Sequence, residues 1–353
     1  MIISTETDPA AASSLVEETL VRLRVWATHD LKNLEGPQQY LLGTDPDCWW
    51  RLVDPKHLLS RKHAQLAFDG MRWVLTNLSK NKIHVGTVAY EKLVVAPGLA
   101  VTLGGVTIVA ESAREIDLRV FLLRILGYTR LNAVDVALQS LRAAIYDRKS
   151  LTLCGHGDLV PIARALHRRM FKQRPFVVSK RGRQDTGETV RVAQNFQQGM
   201  AALAAAAGGS VCVVDGKLPV DFNDVLVALA EPTTRVQLIV CQENPKKAGQ
   251  AAEAVVIPSL ADRGTEAELI VQEYGAEAMT AMELDGAMKT DDKAWVRKNC
   301  ADSLADIEKG TMRIAALRRY RSKHGAANAL GMSHVALSKW LQLRTTLPFR
   351  IGS

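Results

Sequence analysis

The chain has no apolar run approaching the ~20 residues that a bilayer span needs. Its N-terminus lacks the basic-then-apolar pattern of a secretory signal. Five cysteines (Cys48, Cys154, Cys212, Cys241 and Cys300) are scattered without a Cys-x-x-Cys pair. That spacing argues against a zinc site and for reduced thiols in a cytoplasmic protein. No metal and no cofactor is expected. Acidic residues stop altogether after Glu308, whereas Lys309, Arg313, Arg318, Arg319, Arg321, Lys323, Lys339, Arg344 and Arg350 all follow it. A segment of one sign attracts a polyanion, although a solvated basic face would look the same.

What is present suits a soluble protein of two or three domains. The length of 353 residues allows a substantial core, and 47% of residues are hydrophobic with a net charge of +8. Residues 1–18 are small and acidic and read as a flexible tail. Short alternating segments come next: Leu20 to Trp26, Tyr40 to Gly43, Ala64 to Phe68, Met71 to Asn77, Leu93 to Val95, Ala100 to Leu103 and Val106 to Ala110. Turn residues separate them, the pattern of an antiparallel β-sandwich over 19–115. Loops at one end of such a sandwich carry recognition. Here they hold Thr44 to Cys48, Ser60 with Arg61, and Ser79 to Lys82.

Gly43, Asp45-Pro46-Asp47, Ser60-Arg61-Lys62-His63-Ala64, Trp73-Val74-Leu75, Asn77-Leu78-Ser79-Lys80-Asn81 and Leu103-Gly104-Gly105-Val106 follow one another in an order that resembles the forkhead-associated (FHA) domain. The resemblance covers residues 19 to 112 and implies phosphothreonine binding. It also implies that Ser60 binds the phosphate, Arg61 assists, and Asn81 holds the backbone of the bound peptide. A hydroxyl beside a cation suits a group with close to two negative charges and three acceptor oxygens. His63 is expected to pack and hydrogen-bond. Three positions depart from the family: Thr44 replaces an arginine, Lys80 a small hydroxyl residue, and Lys82 a glycine. Loss of the arginine is expected to weaken peptide capture, with Lys80 restoring some of the charge. A docking sandwich that has lost phosphate binding is the alternative.

From Leu118 helical spacing takes over, notably through Val136, Leu138, Leu141 and Ile145. Strand-like segments at Ser150 to Leu153, Pro175 to Val178, Ser210 to Val214, Arg235 to Cys241 and Ala254 to Ile257 then alternate with helical ones at Ile162 to Met170, Val192 to Ala207 and Phe222 to Leu229. Such alternation predicts an α/β domain with a mostly parallel sheet over 116–275. Cys154-Gly155-His156-Gly157-Asp158-Leu159 lies between a strand and a helix, where a phosphate loop belongs. With Gly208 to Asp215 and Ile257 to Arg263 it resembles the AAA+ domain of bacterial enhancer-binding proteins, the activators of the nitrogen-type sigma factor. The catalytic parts of that family are mostly missing, although the acidic strand keeps Asp215. The loop has no lysine, Gly216 replaces the glutamate that activates water, and no sigma-factor loop is found. The resemblance therefore implies a degenerate AAA+ framework, not an enzyme, with Gly155, Gly157 and Asp215 as relics of a nucleotide site. Nucleotide bound without hydrolysis is the alternative. Residues 276–308 read as a helical lid, in which Arg297 stands at the family's sensor position.

Thr311 to Ser322 has helical spacing, and Ala326 to Leu341 carries a glycine turn at Gly331 and a capping serine at Ser333. Val335, Leu337 or Ala336, and Trp340 with Leu341 are expected to face the core. The segment 309–353 resembles the Fis-type helix-turn-helix that ends enhancer-binding proteins. That likeness implies DNA binding: His334, Ser338 and Lys339, on the helix that Ser333 starts, would read bases, while Arg319, Arg321, Lys323 and Arg344 would contact phosphates. The fold expectation is multidomain: an FHA-like β-sandwich, an α/β degenerate AAA+ domain with a helical lid, and an all-α helix-turn-helix. The functional expectation is a cytoplasmic transcription regulator with DNA and a phosphothreonine protein as partners, no membrane contact, and a dimer or higher oligomer covering half-sites ~34 Å apart. A signalling adaptor that never touches DNA, or an ATP-binding enhancer-binding protein, are the rivals.

Overall fold

Residues 19–146, 150–182, 193–243 and 254–351 are described by the computed structural model. The expected N-terminal tail, 1–18, lies outside them. The chain divides into two units, Met1–Leu123 with Thr129–Asp147, and Arg124–Tyr128 with Arg148–Ser353.

The first unit is a β-sandwich. One sheet runs in the order β2 (Leu31–Asn33), β1 (Leu20–Val25), β11 (Val106–Ser112), β10 (Ala100–Leu103), β7 (Ile83–Val85), β8 (Val88–Tyr90). The other runs β4 (Trp50–Arg51), β3 (Tyr40–Gly43), β5 (Ala64–Phe68), β6 (Trp73–Asn77), β9 (Lys92–Val95). Side chains of a strand alternate between faces, so Tyr40 and Leu42, Ala64 and Leu66, Trp73 and Leu75, and Val101 and Leu103 all enter one buried core. The strands expected from the sequence are present within a few residues. Pairing is antiparallel except for β3 with β4, which is parallel. Strands β2, β4, β7 and β8 are two or three residues long, too short to show a period.

Two helices follow, α1 (Ala113–Leu126) and α2 (Leu131–Tyr146). The sequence reading starts the second domain at residue 116, but α2 belongs to the first unit. Its anchor is a buried ion network. Arg24 on β1 donates through Nε to Glu111 (2.8 Å) and through both terminal nitrogens to Asp135 on α2 (2.9 and 2.6 Å). Arg22 reaches the other Glu111 oxygen at 2.6 Å. Arg24, Glu111 and Asp135 are at most 1% exposed, so each charge depends on its partners.

The second unit holds a sheet in which every pairing is parallel, ordered β14 (Asn195–Phe196), β13 (Phe176–Ser179), β15 (Ser210–Val214), β16 (Gln237–Gln242), β12 (Leu151–Cys154), β17 (Ala254–Val256). Strands β12 and β13 are buried throughout, the continuous apolar pattern of a strand covered on both faces. Helices α3 (Val160–Met170), α4 (Gly199–Ala205) and α5 (Phe222–Ala230) connect the strands. The helix expected over Val192 to Ala207 is corrected: Val192 lies outside the described residues, β14 pairs with β13, and α4 starts only at Gly199. Asp221 fixes that start by accepting the Gly199 and Met200 amides at 2.7 and 3.0 Å.

A 3-10 turn (Leu260–Glu266) then leads to α6 (Ala267–Ala281), α7 (Thr290–Asn299), α8 (Leu304–Tyr320), α9 (Lys323–Ala329) and α10 (His334–Gln342). Helix α8 starts well before the expected Thr311, because the Ser303 hydroxyl caps it by accepting the Asp306 amide at 3.1 Å. It runs unbroken across the expected lid boundary at 308 and ends where Arg321 adopts φ +54°. Among the described residues no helix is long and apolar enough to cross a membrane.

Candidate functional site

The loops after β3, before β5 and after β6 converge at one end of the sandwich. Gly43 lets two of them touch: a Cβ there would overlap the Arg61 carbonyl oxygen, so only glycine allows the approach. Thr44 and Asp45 then donate their amides to the carbonyls of Ser60 (3.2 Å) and Arg61 (3.1 Å). Asp54 organises the loop ahead of Ser60. Its carboxylate accepts the amides of Lys56 (2.9 Å), Leu58 (2.8 Å), Leu59 (2.8 Å) and Gly105 (3.1 Å). Burial alone would raise the Asp54 pKa, but these donors together hold it below the ordinary carboxylate range.

His63 is fully buried, and burial pushes its pKa down, against the pull of the nearby Asp54 charge. Its neutral ring accepts the Ser60 amide at Nδ1, 3.1 Å away, which is the packing and hydrogen-bonding role expected of it. The Ser60 hydroxyl lies 2.6 Å from that of Ser79. Asn77 shapes the second loop, donating to the Ser79 carbonyl at 2.7 Å and accepting its amide at 3.3 Å. Asn81 sits beside this pair: its amide reaches Ser79 Oγ at 3.1 Å, and its side chain donates to the Leu58 carbonyl at 2.8 Å. Lys82 pairs with Glu91. Arg61, Lys62 and Lys80 are exposed and make no ion pair among the described residues. The structure thus brings Ser60, Arg61, Lys80 and Asn81 to one edge. Sequence reasoning missed Asp54 and Ser79. The serine is visible as a second hydroxyl in the Asn77 to Asn81 motif, whereas Asp54 leaves no signal.

In the second unit, Gly155 and Gly157 follow the carboxyl end of β12, the side of a parallel sheet where ligands bind. Their surroundings are occupied by protein. Leu159 is buried against the loop, its Cδ2 3.5 Å from where a Gly155 Cβ would lie, and Ile257 is 3.1 Å from the same point. Asp158 accepts the Val160 amide at the start of α3 (3.3 Å), setting a carboxylate where an anion would have to sit. Gly157, at φ +86°, faces Ser303: a Cβ there would lie 3.3 Å from its hydroxyl. Asp215 stands at the end of β15 and accepts the amide of Gly216 at 3.0 Å. Arg297 is exposed, 3.5 Å from Glu268.

In the C-terminal helices, Gly331 makes the turn at φ +65°, and Ser333 caps α10 by accepting the Ala336 amide at 3.1 Å. Leu337 is fully buried, and Trp340 and Leu341 are half-buried. Val335 is 48% exposed, contrary to the expected inward position, and Ala336 is exposed as well. A residue two places from Leu337 points ~200° around the helix, so Leu337 takes the core position that the first turn offers. His334 and Lys339 are exposed, and Ser338 is half-buried. Arg321 and Lys323 are exposed without ion pairs among the described residues, and Arg319 lies 3.9 Å from Glu283. Arg344 is turned inward, stacked 4.2 Å from the Trp340 ring and donating to its carbonyl at 2.9 Å. Arg313 covers the same ring at 4.5 Å.

The sandwich defines the class of this part of the chain. Residues 40–104 match the FHA domain family, so the chain contains an FHA domain there. Among solved structures, one from a study of phosphothreonine-dependent FHA interactions is 25% identical and covers 26% of this chain and 96% of its own, with a TM-score of 0.24. The FhaA FHA domain, solved with the intracellular domain of Rv3910, gives 25% identity, 26% and 99% coverage and a TM-score of 0.24. The FHA domain of CT664 from Chlamydia trachomatis gives 22%, 26% and 97%, and 0.24. A search of curated proteins finds no match to the chain.

Proposed function

We propose that the chain is a cytoplasmic regulator in which the FHA domain holds a phosphothreonine of a partner protein and the C-terminal helices bind DNA, joined through an AAA+-like frame that does no catalysis. The observation that carries the first part is the Ser60–Ser79 hydroxyl pair, flanked by Arg61, Lys62 and Lys80, exposed cations with no ion pair among the described residues. Hydroxyl donors with cations beside them satisfy a phosphate dianion, and Lys80 and Lys62 supply charge that Thr44 does not. Asn81 is within reach of the same edge to hold the peptide backbone.

Support for an inactive frame comes from the loop after β12. No lysine is present, Leu159 fills the interior, and Asp158 occupies the donor end of α3. The DNA reading rests on the acid-free C-terminus and on Arg321, Lys323, His334 and Lys339, which stand exposed around the Ser333-capped helix. A helix of this kind enters a major groove by its N-terminal residues, so a second copy is expected for the second half-site. The adaptor reading draws on one observation, that Arg344 is consumed by Trp340 and Arg318 by Asp292.

Calorimetry with matched phosphorylated and unphosphorylated threonine peptides tests the sandwich; equal affinity for both, or an unaffected Ser60→Ala variant, sinks phosphate recognition. Gel shifts with genomic DNA separate regulator from adaptor. ATP turnover lost on Asp215→Ala would overturn the inactive frame.

A further inference from the structure

The backbone amides and carbonyls of Ser60 and Ser79 are already committed. The Ser60 amide donates to His63 Nδ1 (3.1 Å), and its carbonyl accepts the Thr44 amide (3.2 Å). The Ser79 amide and carbonyl are both held by the Asn77 side chain. Ser79 Oγ accepts the Asn81 amide at 3.1 Å. The two hydroxyls own two protons between them, and only one can lie in the 2.6 Å gap that separates their oxygens. The other has no partner in the loops and is available to a ligand.

Which proton bridges follows from the Asn81 amide. A hydroxyl oxygen that already accepts a hydrogen bond becomes a better donor, because successive hydrogen bonds polarise one another. Ser79 is in that state; among the described residues Ser60 Oγ accepts from no other group. We infer that Ser79 is a positioning residue for phosphate recognition: its hydroxyl donates to Ser60 Oγ and thereby leaves the Ser60 proton directed outward. This role rests on the phosphothreonine reading of the site. A serine hydroxyl otherwise rotates to suit any nearby acceptor. With Ser79 in place the Ser60 donor is oriented before the ligand arrives, which reduces the ordering that binding requires. The arrangement also gives the Asn77-to-Asn81 loop a part in phosphate binding that does not depend on touching the phosphate.

The test uses the full chain and the peptide retained most strongly from a degenerate phosphothreonine array, with its unphosphorylated counterpart as control. Ser79→Ala is expected to weaken the phosphopeptide about tenfold, the worth of one hydrogen bond near a charged group, and to leave the counterpart's binding unchanged. Ser79→Thr keeps the hydroxyl and is expected to restore affinity to within about twofold. The decisive measurement is the double variant. If Ser79 acts through Ser60, adding Ser79→Ala to Ser60→Ala weakens binding no further. Fully additive losses would mean that Ser79 contacts the ligand by itself, and would overturn the inference. So would wild-type affinity in Ser79→Ala, or a Ser79→Thr variant as weak as Ser79→Ala. All three outcomes leave the phosphothreonine reading standing. If the wild-type chain retains no array member, or binds both peptides equally, that reading falls and takes the role of Ser79 with it.

Discussion

Removing the carboxylate of Asp54 tests how the recognition loops are held. Four backbone amides converge on it, three of them (Leu58, Leu59 and Gly105) on Oδ2 and one (Lys56) on Oδ1. In Asp54→Asn the amide oxygen can retain the three Oδ2 partners, while the new NH2 faces the Lys56 donor. The loss is then one acceptor and the charge, about 2 kcal/mol. In Asp54→Ala all four donors lose their partner. The Leu59 amide is buried and costs ~1–3 kcal/mol unsatisfied, and the other three, being partly exposed, cost ~0.5–1 kcal/mol each once water replaces the carboxylate. The sum is about 4 kcal/mol, a large share of a domain's usual ~5–15 kcal/mol. Hydrogen exchange at core amides such as Leu66 and Leu75 in the full chain reads this directly, because they open only when the sandwich unfolds. The folded pKa of Asp54 lies below its unfolded value, so its ionic contribution is complete above the unfolded ~3.9 and disappears as pH falls through the folded pKa. The gap between wild type and Asp54→Asn should therefore narrow as the solution is acidified below pH ~4. A gap that stays constant into that range, or core amides unaffected by Asp54→Ala, would refute the account.

Other perturbations follow from contacts elsewhere in the chain. Asp135→Ala removes the carboxylate that both terminal nitrogens of the buried Arg24 guanidinium reach, leaves it Glu111 as its carboxylate partner, and should destabilise the first unit by about 3 kcal/mol; chemical denaturation followed by sandwich hydrogen exchange measures the loss. On the DNA-binding reading, Lys323→Ala should lower DNA affinity and reduce the slope of log K against log salt by about one, as expected for one lost phosphate contact; the slope comes from titrations at several salt concentrations. Arg344→Ala should instead act through stability, because that guanidinium already covers Trp340, and its signature is a lower melting temperature with the salt slope retained.

Much of the sandwich was legible because its strands alternate over four or more residues. In β5 and β10 the alternation places Ala64 and Leu66, and Val101 and Leu103, in the core, although Phe68, in phase with the first pair, is exposed. The two- and three-residue strands β2, β4, β7 and β8 have no period to read, and tertiary pairing alone makes them strands. Ser60, Arg61 and Asn81 were legible through motif order. Asp54 was not: an aspartate before a proline reads as any polar turn, and nothing local shows that Gly105, some fifty residues on, will close over it. Arg24 misleads in the same way. A charged residue in an alternating strand suggests solvent, but Glu111 and Asp135 arrive from distant parts of the sequence to neutralise it. In the second unit the buried strands stood out as apolar runs. The missing lysine was plain as well, but that Leu159 and Ser303 fill the space around the loop depends on packing and could not be read.

The loop after β12 offers a test of whether that filling matters. Gly157 holds φ +86°, where a side chain is strained, and a Cβ would lie 3.3 Å from Ser303 Oγ and 3.4 Å from Ala305 Cβ. Ser303 is the cap of α8, so crowding it disturbs the bond to the Asp306 amide that starts the helix. Gly157→Ala should cost about 1–2 kcal/mol from the backbone conformation alone. A further ~1 kcal/mol is expected if the cap is displaced. The two contributions separate by measurement: backbone strain lowers stability of the whole unit, whereas loss of the cap speeds hydrogen exchange selectively at Asp306 and Ile307. Helix α8 runs without a break from Leu304 to Tyr320 and its last turn carries Arg319. Displacing its start therefore moves the base of the C-terminal helices as well. If Gly157→Ala leaves exchange at Asp306 and Ile307 unchanged while global stability falls, the contact between the loop and α8 is incidental, and the loop after β12 has no structural hold on the C-terminal helices.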